Sequence, residues 1–241
     1  MKYTTLPNSD IEVSKICLGT MTFGEQNTEA EGHAQMDFAL EKGINFFDTA
    51  EMYSVPGRKE TYGSTEKIIG TWFKKTGNRD KVILASKIAG PNPGLSYIRE
   101  NMDFSPASIA LSIEKSLSRL QTDYIDLYQL HWPERKTNFF GQRGFKVQND
   151  AWEDNIHNVL ETLDTFIKAG KIKNIGLSNE TPWGIMRFLE ESKYHNLPKI
   201  KTVQNPYSLL NRLFENGSAE VSIRENVGLL AYSPLAFGVL S

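Results

Sequence analysis

The chain has 241 residues, of which 39% are hydrophobic and 23% charged, and its formal net charge is -2 at pH 7. This composition is typical of one globular domain with a substantial core, and it provides no basic surface for nucleic acid or an anionic membrane. No apolar run approaches the roughly 20 residues of a membrane-spanning helix, and the N-terminus lacks the apolar core of a secretory signal. We therefore expect a cytoplasmic protein that binds neither nucleic acid nor a membrane.

Short apolar runs rich in β-branched and aromatic residues alternate along the chain with longer segments of helical period. An opening stretch interrupted by Pro7-Asn8-Ser9-Asp10 predicts a β-hairpin. Seven strands are predicted after it, at residues 15–19, 44–48, 82–87, 124–131, 172–177, 201–205 and 228–232. This alternation predicts βα units around a parallel sheet.

Three of the predicted helices have clear start signals. Thr28 with Glu31 forms a capping box. Ser105-Pro106 and Thr181-Pro182 each provide an N-cap residue followed by proline at the first helical position. The apolar faces that should pack on the sheet comprise Ile109, Ile113, Leu117 and Leu120 in the third helix and Ile156, Val159, Leu160, Leu163 and Ile167 in the fourth.

The number of βα units decides between two fold classes. Seven predicted strands are too many for a small doubly wound sheet and one short of a closed TIM barrel. No Gly-x-Gly-x-x-Gly motif follows a predicted strand, so a Rossmann fold has no phosphate-binding motif to support it. We therefore predict an α/β fold, a (β/α)8 TIM barrel with an N-terminal β-hairpin, as a single domain over residues 1–241. Because a barrel needs every strand, we expect its last helix, strand and helix to lie beyond Ser241.

Polar side chains of four types lie where predicted strands end. Asp48 and Tyr53 follow the second strand, Lys87 ends the third and His131 ends the fourth. The βα loops of a barrel meet at the carboxyl ends of its strands, so these side chains should share one site. Each alone has a structural explanation, as a turn former, a loop aromatic, a solvated strand end or a core histidine. Packing does not explain all four together, because a lone buried Lys or Asp is costly unless it is paired.

The same residues carry a resemblance to a known family. The segment Asp48-Thr49-Ala50-Glu51-Met52-Tyr53 resembles the aldo-keto reductase signature Asp-Thr-Ala-x-x-Tyr. The resemblance runs from Val13 to Ser241 and looks closest to the Tas-like bacterial branch of the family. Its further matches are the segments Gly19–Gly24, Leu84–Lys87, Asp126–Pro133, Gly170–Ile172, Ile175–Asn179, Gln204–Arg212 and Tyr232–Leu235.

This resemblance implies an NADPH-dependent reductase of aldehydes or ketones. A hydride from the reduced nicotinamide adds to the carbonyl carbon, and an acid must neutralise the charge that develops on the oxygen. Tyr53 is implied as that acid, and Lys87 as the cation that lowers its pKa from about 10. Asp48 is implied to pair with Lys87, and His131 to donate a hydrogen bond to the carbonyl oxygen.

The resemblance also implies which residues bind the cofactor. Ser178, Asn179 and Gln204 map onto the carboxamide of the nicotinamide, and Tyr232 maps onto the ring that stacks on its face. For Ser178 and Asn179 an ordinary turn after a strand is the alternative interpretation. NADPH is the expected cofactor, with NADH as the alternative, because the family's 2′-phosphate-binding segment would lie beyond Ser241. The other implied cofactor contacts are Gly19, Thr20, Met21, Asp48, Ser233 and Leu235.

The substrate pocket is predicted at Tyr53, His131 and Trp132, and a small-molecule carbonyl compound is the expected partner. An insertion from Pro133 to Asn155 follows these residues. Two interpretations stay open for it: a loop over the mouth of the site, or a surface loop packed on its own aromatic residues. These aromatic residues are Phe139, Phe140, Phe145 and Trp152.

No metal site is predicted. His33 and His157 are predicted on solvated helix faces, and His195 is interpreted as a cation that stabilises the C-terminal end of a helix. The single cysteine, Cys17, is predicted to be a buried, inert thiol.

Two other functions compete with carbonyl reduction. Some relatives with this fold bind the nicotinamide cofactor as cytoplasmic β-subunits of potassium channels, with little turnover. An isomerase or aldolase on the same barrel would use Lys87 as a Schiff-base nucleophile. The complete set of Asp48, Tyr53, Lys87 and His131 favours hydride transfer over both.

Overall fold

An antiparallel hairpin opens the structure, a computed structural model that describes residues 1–147 and 149–241. Its two strands are β1 (Tyr3–Thr5) and β2 (Glu12–Ser14), with Tyr3 opposite Ser14. The hairpin predicted from the interrupting turn residues is therefore confirmed.

Seven parallel strands form the main sheet among the described residues, and they are hydrogen-bonded in chain order. Nε2 of Gln204 on the sixth of these strands donates to Oδ1 of Asp48 on the second at 2.8 Å. A contact across three intervening strands requires the sheet to curl, and the fold is that of a (β/α)8 barrel, as predicted. The strands are β3 (Cys17–Gly19), β4 (Phe46–Asp48), β5 (Ile83–Ile88), β6 (Ile125–Leu130), β7 (Ile172–Ser178), β8 (Thr202–Pro206) and β9 (Gly228–Tyr232).

Helices alternate with these strands and cover the outside of the sheet. They are α1 (Glu29–Glu41), α2 (Ser64–Thr76), α3 (Pro106–Leu120), α4 (Ile156–Lys168), α5 (Pro182–His195) and α6 (Ser218–Glu225). Thr28, Ser105 and Thr181 cap α1, α3 and α5 as predicted, and the capping box of Thr28 with Glu31 is complete. Within the described part of the chain, no helix is long and apolar enough to cross a membrane.

The main hydrophobic core lies between the sheet and the helices. Phe47 and Leu84 point outward from adjacent strands into this core. The predicted helix faces are buried there: Ile109, Ile113, Leu117 and Leu120 on α3, and Ile156, Val159, Leu160 and Leu163 on α4, with Ile167 partly buried. The apolar periodicity therefore identified the correct faces.

The hairpin fills the interior of the barrel at its amino end. Leu6 and Val13 pack against Phe46, Ala85 and Leu127 of three adjacent strands. Each of these strand residues lies two positions before a polar residue, and alternate residues of a strand share one face. The polar residues that consequently face the barrel interior are Asp48, Lys87 and Gln129.

His33 differs from its prediction. Its side chain is only 13% exposed, and it packs between α1 and α2 instead of lying on a solvated face. Its Nε2 atom lies 3.1 Å from both the backbone oxygen of Ile68 and Oγ1 of Thr71. Helical period identifies the face that packs on the sheet, but it does not identify which flank a neighbouring helix covers.

Cys17 is partly buried, and it packs against the cluster that the hairpin forms with the strands, which consists of Leu6, Val13, Phe46, Ala85 and Leu127.

Candidate active site

The four predicted catalytic side chains lie together at the carboxyl ends of neighbouring strands. Asp48 is the last residue of β4, and Tyr53 lies in the loop that follows it. Lys87 lies near the end of β5, and His131 directly follows β6. None of the four is more than 9% exposed. The structure therefore brings together the residues that the sequence singled out.

The ammonium group of Lys87 is fully buried and paired with Asp48. Its Nζ atom donates to Oδ2 of Asp48 at 2.6 Å and to the backbone oxygen of Thr49 at 2.8 Å. Burial is the largest single influence on the pKa of Lys87 and lowers it. The carboxylate of Asp48 and the hydroxyl of Tyr53 together raise it by more, so the pKa of Lys87 lies above its ordinary value. Lys87 is therefore charged at neutral pH.

The carboxylate of Asp48 accepts hydrogen bonds from three other strands. Its Oδ2 atom faces Lys87, while Oδ1 accepts from Nε2 of Gln204 at 2.8 Å and from Nε2 of Gln129 at 3.2 Å. These donors fix the position of the carboxylate inside the barrel. Gln129 was not predicted from the sequence to be a site residue. The available signal was its position two residues before His131, which places it on the inward face of β6.

The hydroxyl of Tyr53 lies between the lysine and the histidine. It is 3.5 Å from Nζ of Lys87 and 3.4 Å from Nε2 of His131. Burial raises the pKa of Tyr53 above its ordinary value, and the attraction of Lys87, which lowers the pKa, is the smaller effect. The expected net lowering of this pKa is therefore wrong, because burial of the phenol outweighs the nearby cation. Tyr53 is protonated at neutral pH.

The imidazole of His131 is neutral and able to donate a hydrogen bond. Burial first, and the charge of Lys87 second, hold its pKa well below the ordinary value. Its Nδ1 atom has no hydrogen-bond partner among the described residues, while Nε2 faces the hydroxyl of Tyr53. A buried N–H group without an acceptor is costly, so we assign the proton to Nε2.

Ser178, Asn179 and Tyr232 form a second polar group beside His131. Nδ2 of Asn179 donates to the backbone oxygen of His131 at 2.9 Å and to Oγ of Ser178 at 3.1 Å. The hydroxyl of Tyr232 donates to Oδ1 of Asn179 at 2.7 Å. Oγ of Ser178 donates to the backbone oxygen of Gln204 at 2.9 Å. The residues predicted to bind the nicotinamide therefore lie together, next to the four buried residues.

The other predicted cofactor residues differ in exposure. Gly19 lies opposite Asp48 in the sheet, and a side chain at this position would meet nothing within 4 Å. Thr20 is fully buried, and its hydroxyl donates to the backbone oxygen of Asp48 at 2.8 Å. The hydroxyl of Thr20 thus supports the end of β4. The positions that are half-buried or exposed to solvent are Met21, Ser233 and Leu235.

Aromatic rings form one side of the site. The ring of Trp132 lies against that of His131, with centroids 4.9 Å apart. The ring of Tyr53 also contacts that of His131, with centroids 5.5 Å apart. Gly90, just after β5, allows the indole its position. A Cβ atom at this glycine would lie 2.5 Å from Nε1 of Trp132, closer than any side chain permits.

The insertion between 133 and 155 divides into two parts, and Gln148 within it lies outside the described residues. Phe140 packs against Trp132 with ring centroids 5.7 Å apart, so the first part of the insertion reaches the site. Trp152 packs instead against Trp183 of α5, at 6.4 Å. Phe145 is 70% exposed. The first part therefore lies at the site, as the first interpretation expects, whereas Trp152 packs on α5 and not on the aromatic residues of the insertion itself.

A second buried ion pair lies behind β5, on the helix side of the sheet. Glu66 of α2 accepts from Nε of Arg119 at 2.7 Å and from Oγ of Ser86 at 2.6 Å. Arg119 also donates to the hydroxyl of Tyr62 at 3.2 Å. Ser86 directly precedes Lys87, so the two side chains project to opposite faces of β5. This pair was not predicted from the sequence.

A third buried ion pair holds the loop that carries Tyr53. The carboxylate of Glu51 pairs with Arg99, accepts from Oγ of Ser112 at 2.6 Å and accepts from the backbone N–H of Ala89 at 2.7 Å. These contacts tie the loop to β5 and α3. Glu51 therefore fixes the position of the backbone two residues before Tyr53.

Comparisons with known proteins identify relatives of this chain. The sequence profile described as "Aldo/keto reductase family" matches residues 15–241. Protein tas of Escherichia coli is 52% identical over 242 residues, which cover 100% of this chain and 70% of that protein. Uncharacterized oxidoreductase YrpG of Bacillus subtilis is 37% identical over 245 residues, covering 100% of this chain and 68% of that protein. Norsolorinic acid reductase stcV of Emericella nidulans is 32% identical over 246 residues, covering 96% and 56%.

Proposed function

Because this chain belongs to the aldo/keto reductase family and is an NAD(P)H-dependent oxidoreductase, we propose that it reduces aldehydes or ketones to alcohols with NADPH, using Tyr53 as the proton donor. One observation supports this most directly. A protonated hydroxyl lies 3.5 Å from the charged Lys87 and 3.4 Å from the neutral imidazole of His131. Carbonyl reduction needs an acid for the oxygen and a donor to orient it, and these residues supply both.

Tyr53 holds the proton that the reaction consumes. A reduced nicotinamide held by Ser178, Asn179 and Gln204 would supply the hydride for the carbonyl carbon. The hydroxyl of Tyr53 would give its proton to the carbonyl oxygen. This transfer leaves a phenolate, which the buried charge of Lys87 stabilises more than it stabilises the neutral hydroxyl. Lys87 therefore stabilises the transition state, in which negative charge develops on the oxygen of Tyr53, more than it stabilises the ground state. This difference accelerates the reaction.

His131 and Asp48 have different tasks in this proposal. The Nε2–H group of His131 donates to the carbonyl oxygen and directs it toward Tyr53. Asp48 does not contact the substrate; it keeps Lys87 charged inside the barrel. Gln129 and Gln204 in turn donate to Oδ1 of Asp48 and hold the carboxylate in position.

The polar group around Asn179 would hold the nicotinamide. Its hydroxyl and amide groups offer both donors and acceptors, as a carboxamide requires, and the half-buried ring of Tyr232 lies beside them. Ser178, Asn179 and Gln204 would bind the carboxamide, and Tyr232 would stack on the ring. The preference for NADPH over NADH follows from the family resemblance. The further contacts with the cofactor would come from Gly19, Thr20, Met21, Asp48, Ser233 and Leu235.

The state of Lys87 counts against an aldolase or isomerase. A Schiff-base lysine must lose its proton to attack a carbonyl group, and active sites lower its pKa for that purpose. The pKa of Lys87 is instead raised, because Asp48 is 2.6 Å from its Nζ atom. Lys87 is thus suited to stabilise an anion and unsuited to act as a nucleophile.

The proposal is tested by the rate of NADPH oxidation with a panel of aldehydes and ketones, followed by the absorbance of the reduced nicotinamide. We expect turnover that depends on both cofactor and carbonyl compound. Compounds with an aromatic substituent should have the lower KM values, since Trp132 and Phe140 form one side of the site. Cofactor binding without turnover would instead support a regulatory module, and carbonyl cleavage without cofactor would support an aldolase. Replacing NADPH by NADH in the same assay tests the cofactor preference.

A further inference from the structure

Three side chains with metal-binding atoms meet outside the barrel, between α4 and α5. His157 lies in the first turn of α4, while Glu191 and His195 lie one turn apart on α5. One ligand atom from each of them lies within 4.8 Å of the other two. Within residues 1–147 and 149–241, no other group of histidine, cysteine and acidic side chains meets this spacing. We refer to these three residues as the α4–α5 cluster.

One carboxylate oxygen of the cluster lies between two imidazoles. Oε2 of Glu191 is 3.3 Å from Nδ1 of His157 and 3.4 Å from Nε2 of His195. Zinc binds such atoms at about 2.0 to 2.2 Å in a tetrahedron, which places neighbouring ligand atoms about 3.4 Å apart. Both separations match that value. The third separation, between one ring nitrogen of each histidine, is within 4.8 Å, so side-chain adjustments that bring the two imidazoles closer would place a zinc ion among the three ligand atoms.

Neighbouring charged residues orient the cluster. Arg187, one turn before Glu191 on α5, donates to its other carboxylate oxygen, Oε1, at 2.8 Å. Oε1 of Glu161 lies 3.4 Å from Nε2 of His157, the ring nitrogen that does not face Glu191. A carboxylate behind a ligating imidazole and a donor behind a ligating carboxylate are the usual outer contacts of a zinc site.

We propose that His157, Glu191 and His195 bind a divalent transition-metal ion, with Zn²⁺ as the preferred ion and water as its fourth ligand. Imidazole and carboxylate ligands in a tetrahedron suit zinc, whereas Mg²⁺ and Ca²⁺ require oxygen ligands. The side chains of the three residues are 37%, 14% and 50% exposed, so the ion reaches them directly from solvent. The bound ion links two consecutive βα units of the barrel and stabilises the folded chain.

Zinc titration of the untagged, chelator-treated protein tests this proposal. Calorimetry should detect one ion bound per chain. At a zinc concentration about 100 times the dissociation constant, the melting temperature should rise by roughly 5 to 10 °C, because the ion binds the folded state and not the unfolded chain. Mg²⁺ at the same concentration should produce no such rise.

Variants of the cluster locate the ion. His157→Gln and Glu191→Gln should each weaken zinc binding by at least about tenfold, since loss of even an outer contact of a metal site typically costs that much. Glu190→Gln is the matched control, because Glu190 is the adjacent carboxylate on α5 and contacts Arg187 without facing either histidine. This variant should bind zinc as the parent does.

The parent protein with Co²⁺ provides a readout that does not depend on whether a variant folds. The visible absorption bands of tetrahedral cobalt should appear on titration and disappear when zinc is added. Failure of the parent to bind zinc, absence of the tetrahedral bands, or unchanged binding in both cluster variants would each overturn the proposal. In that outcome Glu191 only accepts hydrogen bonds from the two imidazoles.

Discussion

Strand β5 separates two buried carboxylate–cation pairs that differ in their surroundings. On its inner face Lys87 is paired with Asp48, and on its outer face Arg119 is paired with Glu66. The two carboxylates are similarly buried, at 9% and 0% exposure. Each pair has a tyrosine hydroxyl beside its cation: Tyr53 lies 3.5 Å from Lys87, and Tyr62 lies 3.2 Å from Arg119. Only the hydroxyl of Tyr53 also faces an imidazole, that of His131. Burial of an ion pair is therefore not in itself a sign of catalysis; the groups beside it decide what it does.

This difference separates activity from stability. In the proposed mechanism the inner pair acts on the proton donor, so changes there should reduce the reaction rate. The outer pair joins α2 to α3 behind the sheet, so changes there should reduce the free energy of unfolding. The four predictions below use this separation, from the largest expected effect to the smallest.

Tyr53→Phe should have the largest effect on activity. It removes the acidic hydroxyl and keeps the ring, so we expect kcat for carbonyl reduction to fall by about 10²- to 10⁴-fold, the range for losing a general acid. Urea unfolding should change little, since the contacts of this hydroxyl at 3.4 and 3.5 Å are long. Steady-state kinetics and cofactor titration check both parts. Near-normal turnover would contradict the assignment of Tyr53 as proton donor.

Glu66→Gln should have the largest effect on stability. It leaves the charge of Arg119 buried without its partner, which should lower the free energy of unfolding by about 3 kcal/mol. Urea denaturation measures this loss, and kcat per folded molecule should stay within about twofold of the parent.

A matched control exists on the surface. Glu220 pairs with Arg224 at 2.7 Å, but both side chains are mostly exposed. Glu220→Gln should therefore change stability by less than about 0.5 kcal/mol. Equal losses in the two variants would show that the outer pair behind β5 has no special role.

Ser112→Ala tests the contacts of the third ion pair. The Ser112 hydroxyl donates to Glu51 at 2.6 Å and accepts from the hydroxyl of Tyr128 at 2.7 Å. Loss of one charge-assisted hydrogen bond and of one acceptor should lower stability by about 1 to 2 kcal/mol. Thermal and urea unfolding measure it. If kcat per folded molecule also fell, Ser112 would contribute to the function of the inner pair and not only to stability.

The smallest effect concerns acid stability. The pKa of His131 is well below its ordinary value in the folded protein, so below about pH 6.5 the unfolded chain takes up a proton that the folded protein does not. Stability should therefore fall on acidification, with this histidine contributing at most about 1.4 kcal/mol per pH unit. Urea unfolding between neutral and mildly acidic pH should show a shallower fall for His131→Gln. An unchanged slope in that variant would contradict a neutral, buried imidazole.

Much of this architecture could be predicted from local sequence. Helix starts depend on a few adjacent residues, and Thr28 with Glu31 therefore identified α1 correctly. Strand ends were sufficient to bring Asp48, Lys87 and His131 together, because every parallel strand of a barrel ends on the same side. These features need no knowledge of which helix lies beside which.

The remaining features depend on contacts between distant segments. Glu66 has the sequence context of a surface residue in the first turn of α2, and only the packing of α2 on α3 buries it with Arg119. The pKa of Tyr53 was predicted in the wrong direction because a motif reveals the neighbouring cation and not the degree of burial. His157 meets Glu191 only because α4 and α5 are neighbours.

The side-chain alternation of β5 also makes the chemistry a measure of correct folding. In β5, Ser86 faces the helices and Lys87 faces the barrel interior. Opposite them in β6, Tyr128 faces the helices and Gln129 faces the barrel interior. A slip of one residue in β5 would turn Lys87 toward the helices and Ser86 inward. The pair of Lys87 with Asp48 and the hydrogen bond of Ser86 to Glu66 would then be lost in the same molecule. The rate of carbonyl reduction by a refolded sample therefore measures the fraction of molecules whose strands have the native register, because chains with a shifted register are inactive in that assay.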